Sequence, residues 1–417
     1  MGKLRAGRPF AVLDLGTGYV KTLLMHRGPT GGWSVVGAGT VSYRRPRGAT
    51  GKLIVSQLDA AEEALERAGS RALRLAGREV RPATCVVAIP SPPAETLLFR
   101  HEAARSPEAG PISRREALEI AAAAGSAATE AGQQSYSKRH RAGTPTWLGS
   151  NSRAASVDGR PVSSLEGMRG QVAAVELGVA AAGRSARRLV SWCDEQGMEP
   201  LLVSEPLWRA RMLDRWTGHA VLDLGARRTH LAYRDARGSF RDLSVAVGGY
   251  HFTRYLSLAA GVSPSRAERL KIAYAAGRLD EPSQKQTRRL MQRALTSWLS
   301  RLTEALAQLH EVVPGRWLCC GGGASLPEMA LLPGLIAGDS ISRLDRYPVH
   351  QPLAPADLCR YLSPGPERIG PAHLVALALA DWWLQLQRDP AARGQAVSLA
   401  ESARLAGYEV DAGWLKL

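Results

Sequence analysis

Two aspartates, Asp14 and Asp223, each lie near the end of an apolar run and stand two residues ahead of a glycine, Gly16 and Gly225. The residues Ala11-Val12-Leu13-Asp14-Leu15-Gly16 recur letter for letter at Ala220-Val221-Leu222-Asp223-Leu224-Gly225. An apolar strand followed by an acid and a glycine puts a carboxylate at a strand end, beside a turn tight enough for backbone N–H groups to meet a phosphate. Two such turns facing each other would grip a phosphorylated ligand and its metal from both sides. Further on, Trp317-Leu318-Cys319-Cys320 opens into Gly321-Gly322-Gly323. Without side chains there, a flat ligand could approach the backbone closely.

The elements that must position these residues repeat as well. Thr17-Gly18 turns the chain, Tyr19 to His26 reads as a second strand, and Gly32 to Tyr43 as a third. In the second copy Thr229 to Tyr233 follows the turn, Asp235-Ala236-Arg237-Gly238 makes a hairpin, and Ser239 to Val247 returns. Each half thus starts as a three-stranded meander and passes into a helix, near 57–75 and 250–260. A buried strand follows at Ala83 to Pro90. From 91 to 197 the pattern changes to a small α+β insertion. It has a helix near 113–131, a polar stretch from Gln133 to Ala155 read as a flexible loop, a turn at Asp158-Gly159-Arg160, a strand at 170–178 and a helix at 184–196. After Ser263 the chain reads as largely helical, and the apolar stripe within Gln284 to Val313 is core packing.

At 417 residues the chain exceeds one ordinary core, so two or more domains are expected. With 45% hydrophobic and 22% charged residues it reads as a globular chain without a membrane-spanning run. Its N-terminus lacks the apolar core of a signal peptide, so a cytoplasmic location is expected. The five cysteines show no metal-ligand spacing, and no metal site built from protein ligands alone is expected. A net charge of +16 predicts attraction to something anionic: nucleic acid, acidic lipid or an acidic protein tail. No recognition helix, zinc finger or aromatic-interleaved basic stripe favours nucleic acid. A solvated arginine-rich surface and a membrane-facing patch stay open as alternatives.

Taken in order, the motifs resemble those of the actin and Hsp-type chaperone ATPase superfamily. Asp14 to Lys21 resembles the first phosphate motif, Glu205-Pro206 the start of the first connecting helix, and Asp223 to Thr229 the second phosphate motif. Gly321 to Ser325 resembles the adenosine loop, and Ile369 to Leu377 the second connecting helix. Within the superfamily the chain is similar to the bacterial cell-division FtsA family. That similarity rests on Val86-Val87-Ala88-Ile89-Pro90 where the insertion begins, Val157-Asp158-Gly159-Arg160, Leu165-Glu166-Gly167-Met168-Arg169-Gly170, and the pair Val247-Gly248-Gly249 to Thr253 with Ala267-Glu268-Arg269-Leu270-Lys271.

The resemblance implies an α/β, actin-like (ribonuclease H-like) fold: duplicated domains flanking a nucleotide cleft, with a small α+β inserted subdomain. The first domain would comprise 8–90, 198–217 and 367–385, the insert 91–197, the second domain 218–366, and a C-terminal tail 386–417. It implies ATP and Mg²⁺, with Asp14 and Asp223 holding the ion largely through water. Gly16, Thr17, Gly18 and Lys21 would meet the phosphates from one side, Gly225 and Thr229 from the other. Glu268 and Lys271 would contact ribose or adenine, and Gly321, Gly322 and Gly323 would back the base. Asp223 and Glu205 are the catalytic candidates, Glu205 positioning the water if attack occurs, with an ordinary helix N-terminal acid interacting with the dipole as the alternative for Glu205.

The resemblance further implies self-assembly into a filament or oligomer, binding to the C-terminal peptide of the tubulin-like division protein FtsZ, and a peripheral place on the inner face of the cell membrane through an amphipathic tail. The tail departs from that pattern, since Val397 to Leu417 carries Glu401, Glu409 and Asp411 beside only Arg404 and Lys416. Two other departures stand out. Ala226-Arg227-Arg228 replaces further glycines, and Leu207-Trp208-Arg209 replaces small residues on the connecting helix. They point to nucleotide binding with slow or absent turnover. A type IV pilus actin homologue of the PilM kind, acting as a cytoplasmic scaffold, shares the Asp223 to Ala226 pattern. A sugar kinase or polyphosphatase would need an acceptor-site acid that the chain does not show.

Overall fold

The computed structural model describes residues 8–388 except 29–30, 44–49, 78, 91–93, 140–145, 163, 183, 237, 339–343, 346–348, 359–360, 364, 366 and 368. The tail from 389 onward, with its expected amphipathic helix, lies outside the described residues.

The first hexapeptide copy forms β1 (Phe10–Leu15), buried along its whole length, followed by β2 (Tyr19–Arg27) and β3 (Trp33–Ser42). α1 (Thr50–Ala76) lies across β3 with Ala61, Ala64, Ala68 and Ala72 turned inward. Gly37 and Gly39 permit that approach, because a Cβ on them would stand 2.1 Å from the Ala68 carbonyl oxygen and 1.9 Å from that of Ala64. β4 (Thr84–Ile89) then pairs parallel with β1.

The insertion contributes β5 (Ala94–Ala104), α2 (Arg114–Arg139), β6 (Thr146–Val157), β7 (Arg160–Val162) and β8 (Val172–Ala182). They form one antiparallel sheet in the order β5-β8-β6-β7 under α2. This corrects the flexible loop expected from Gln133 to Ala155 over 133–139 and 146–155, while 140–145 lie outside the described residues. The helix continues to Arg139 because Tyr136 is buried in the insert's core, and the small polar residues from Thr146 onward pair with β8. Composition alone misled there, since Gly, Ser and Ala suit a strand packed closely against an alanine-rich partner as well as they suit a loop. α3 (Arg184–Glu195) buries Leu189, Trp192 and Cys193 in the first domain's core, so by packing it belongs there and not with the insert.

β9 (Glu199–Ser204) completes the first sheet, in the order β3-β2-β1-β4-β9, and α4 (Glu205–Arg215) follows directly. The second copy repeats the plan with β10 (Ala220–Leu224), β11 (Thr229–Arg234) and β12 (Phe240–Val245). Three helices, α5 (Gly249–Ala259), α6 (Pro264–Ala275) and α7 (Glu281–Ala307), lead to β13 (Arg316–Cys320), α8 (Leu332–Gly338) and β14 (Val349–Pro352). The second sheet runs β12-β11-β10-β13-β14, the same topology as the first. α9 (Pro355–Leu358) and α10 (Leu374–Arg388) return to the first domain, where Leu374 to Leu384 enter its core. α4 touches β9 on one side and β10 and β11 on the other, so it couples the two sheets. None of the helices is long and apolar enough to cross a membrane, among the described residues.

Candidate functional site

Asp14 sits one residue from the end of β1, opposite Lys21 of β2, and Lys21 Nζ donates to Asp14 Oδ2 at 2.8 Å. Burial alone would pull the Lys21 ammonium down. Asp14, Asp223 and Glu205 together outweigh it and hold the pKa above its ordinary value. The lysine thus lies in the field of all three carboxylates, with Asp14 as its direct partner.

The first turn is held from behind. Tyr43 Oη donates to the Gly16 carbonyl at 2.9 Å, and Gln57 Nε2 to the Leu15 and Gly16 carbonyls at 3.1 and 3.3 Å. The second turn is held in the same way, by the Gly249 and Tyr250 backbone N–H groups donating to the Gly225 and Ala226 carbonyls at 2.8 and 2.6 Å. With their carbonyls engaged at the back, the turns are oriented to offer N–H groups forward. A Cβ on Gly18 would stand 2.6 Å from the Ala226 Cβ, so the turns are in contact.

Arg227 and Arg228, the bulky departures in the second turn, point elsewhere. Arg227 stacks 4.9 Å over the Tyr250 ring, and Arg228 Nη1 donates to Ser244 Oγ at 2.9 Å. Thr229 is also directed away from the cleft. It is fully buried, its hydroxyl donating to the Val247 carbonyl at 2.6 Å and accepting from Trp298 Nε1 at 3.0 Å. A phosphate contact from that hydroxyl is corrected accordingly, because its one proton is already placed in the core.

Glu205 opens α4. Burial, with Asp223, Asp14 and Asp242 adding to it against the pull of Arg209, pushes its carboxyl up to about 8. One turn later Arg209 is fully buried, with Nη1 3.3 Å from Asp223 and 3.7 Å from Glu205, and Nη2 2.8 Å from Asp242 and 3.2 Å from His230 Nδ1. Burial would raise Asp242, but Arg209 and the His230 hydrogen bond overcome it and hold the carboxyl near about 2. The sequence reading saw Arg209 only as bulk and missed Asp242 and His230. The signal was an arginine one helical turn after Glu205, facing the strand that ends in Asp223.

Glu268 and Lys271 of α6 form a network of their own. Lys271 Nζ reaches Glu268 at 2.8 Å, Thr253 Oγ1 at 2.9 Å and the Gly249 carbonyl at 3.0 Å, and the Thr253 hydroxyl donates to Glu268. Tyr19 Oη, from the first domain, donates to Glu268 Oε1 at 2.7 Å and ties the domains together at that edge of the cleft. Burial, then the Glu268 charge, pushes the Tyr19 phenol up.

The glycine triplet packs on the end of β10. Gly321 has φ +83°, and a Cβ there would stand 2.6 Å from Asp223 Oδ1. One on Gly323 would meet the Leu224 side chain at 2.3 Å, while beside Gly322 there is open space. Packing on β10 thus requires glycine at 321 and 323, whereas a side chain at 322 would meet open space.

These residues fit a nucleotide. Two turns in contact at Gly18 and Ala226, a buried lysine paired with Asp14 and open space beside Gly322 are the groups that phosphates and a base require. Among the described residues no group of three or more His, Cys, Asp or Glu is placed to hold a metal ion directly. Asp14 and Asp223 are hard oxygen donors that each give one oxygen to a cation of the chain, which suits a hydrated Mg²⁺ held through water.

No family model matches the chain, and no curated protein matches it. Among solved structures, the PilM–PilN type IV pilus biogenesis complex is similar over 90% of this chain and 98% of its own, with a TM-score of 0.57 and 17% identity. The ethanolamine utilization protein EutJ from Carboxydothermus hydrogenoformans is similar over 91% of each chain, with a TM-score of 0.48 and 12% identity. MreB5 of Spiroplasma citri, bound to AMPPNP, covers 91% of this chain and 97% of its own, with a TM-score of 0.43 and 13% identity. With two five-stranded sheets of one topology, each ending its first strand in Asp-x-Gly at a shared cleft, the chain has the actin-like ATPase fold.

Proposed function

We propose that the chain is an ATP-binding, actin-like assembly protein that acts as a scaffold and not as an efficient enzyme. The observation that supports this is the contact of the two Asp-x-Gly turns at Gly18 and Ala226, beside the buried Lys21–Asp14 pair. In this reading the N–H groups of Gly16, Thr17, Gly18 and Gly225 and the Lys21 ammonium hold the phosphates, Asp14 and Asp223 hold hydrated Mg²⁺, and the base lies against Gly322. Bound Mg²⁺ would supply charge neutralisation at the phosphates. Slow or absent hydrolysis fits the departures Ala226-Arg227-Arg228 and Leu207-Trp208-Arg209, which replace the glycines and small residues the resemblance implies.

The division role, self-assembly with binding to the FtsZ C-terminal peptide at the cytoplasmic membrane, rests on the insert and Gly-Gly-to-Lys271 motifs of the sequence. The pilus role, a PilM-like scaffold engaging a PilN-like partner, rests on the Asp223 to Ala226 pattern. Calorimetry of ATP with Mg²⁺, with light scattering in the same buffers, tests the shared reading. Tight binding lost in Asp14→Ala and Asp223→Ala, with nucleotide-dependent scattering, is expected. Folded protein that binds no ATP would sink it. Binding of an FtsZ C-terminal peptide against that of a PilN-type protein separates the two roles.

A further inference from the structure

The three helices α5, α6 and α7 carry much of the chain's excess charge. Residues 249–304 contain ten Lys or Arg against four Asp or Glu, a net +6 of the total +16. The acids there are engaged locally: Glu268 with Lys271, Glu281 with Lys285, Glu304 with Arg301, and Asp280 capping α7 through the Ser283 N–H. Arg254, Arg266, Arg269, Arg278, Arg289 and Arg293 are all exposed, and none forms an ion pair among the described residues.

Their placement follows from packing. α5 buries Phe252 and Leu256, α6 buries Ala267 and Tyr274, and α7 buries Met291, Leu295, Trp298 and Leu302, all in one core. A helix with one buried stripe presents its polar side to solvent, so the arginines stand on the outer surface of the second domain. Between them Leu258 is 75% exposed and Ile272 43%. At ordinary helix spacing and rise, the outer faces extend over roughly 20 by 40 Å.

We infer that this face docks on an anionic lipid surface. A second copy docking through the same face is disfavoured, since that contact would set the +6 of one set of helices against the +6 of the other. Nucleic acid would leave Leu258 and Ile272 uncovered, whereas an interface of lipid headgroups and acyl chains takes arginine and leucine side by side. An acidic peptide would follow one line, and these charges are spread over three helices. The inference goes beyond the nucleotide-site reading and stands without it, because no residue of the face lies among the cleft residues named above.

Flotation of the full chain with phosphatidylglycerol-containing vesicles, against pure phosphatidylcholine vesicles, tests it. Binding to the anionic vesicles alone, weakening with salt, is expected. A basic residue near anionic lipid is worth about fivefold in partitioning. The paired changes Arg266→Glu with Arg269→Glu, and Arg289→Glu with Arg293→Glu, should therefore each weaken binding at least about tenfold. Both should leave ATP affinity and thermal midpoint unchanged, since all four side chains are solvated. Leu258→Ser should weaken the binding that survives high salt. Vesicle binding insensitive to both charge reversals would overturn the inference. So would an absence of vesicle binding in a protein that takes up heparin, duplex DNA or a polyglutamate peptide through the same arginines.

Discussion

Arg209 Nη2 lies 2.8 Å from Asp242 Oδ2, joining the helix that leaves the first sheet to the third strand of the second. With Nη1 at 3.3 Å from Asp223, the same guanidinium ties the connecting helix to the strand that carries the second Asp-x-Gly turn. Because Arg209 is fully buried, it cannot exchange its partners for water.

Removing one side of such a pair leaves an uncompensated buried charge, at a cost of about 3–5 kcal/mol. Arg209→Met should lower the free energy of urea unfolding by about that much. In the double variant Arg209→Met with Asp242→Asn, part of the loss should be recovered. Strictly additive losses in the double-variant cycle would mean that the two residues are not coupled.

Tyr19 is the other tie between the domains. Tyr19→Phe removes the hydroxyl that donates to Glu268 and should lower stability by about 1.5–3 kcal/mol, as for a hydrogen bond to a charged group. Amide exchange in α5 and α6 should quicken at the same time. An exchange map identical to wild type would show that this edge of the cleft is held by other contacts.

Contact between the turns makes a steric prediction. Gly18→Ala puts a methyl group 2.6 Å from Ala226 Cβ, which forces the turns apart. ATP affinity should fall, measured by calorimetry. Ala226→Gly in the same chain removes the opposing carbon and should restore affinity. If the double variant binds no better than Gly18→Ala alone, the clash is not the cause.

A pH dependence follows from His373, whose Nε2 is 2.9 Å from Thr40 Oγ1. Burial, with Lys21 and Arg71 acting in the same direction against Asp14, brings its pKa down to about 4. In the unfolded chain the imidazole titrates near about 6.5. Between those values the unfolded state binds the proton and the folded state does not, so this group's contribution is present above about 6.5 and is lost as pH falls toward about 4. Urea midpoints from pH 7 to pH 4.5 should fall less steeply in His373→Gln than in wild type. Parallel profiles would show that carboxylates elsewhere account for the whole decline.

The duplicated plan is legible in the residues alone. Asp14 and Asp223 at strand ends, the two meanders after them and the glycines after Cys320 are local patterns, and strand alternation and turn chemistry act over a few residues. The same local logic failed at Gln133 to Ala155, where helix and strand form only because Tyr136 and β8 are there to pack against.

Tertiary structure decided which side chains reach the cleft. Thr229 sits next to the second turn in sequence yet places its hydroxyl in the core, because Trp298 of α7 lies behind it. Arg209 reads as bulk where the resemblance implies small residues. It becomes the centre of the domain junction only when Asp242 and Asp223, 33 and 14 residues away, are folded around it. Tyr19 finds Glu268 across 249 residues. Such partners are set by how two domains close on each other, and long-range packing leaves no periodicity in the chain from which they could be read.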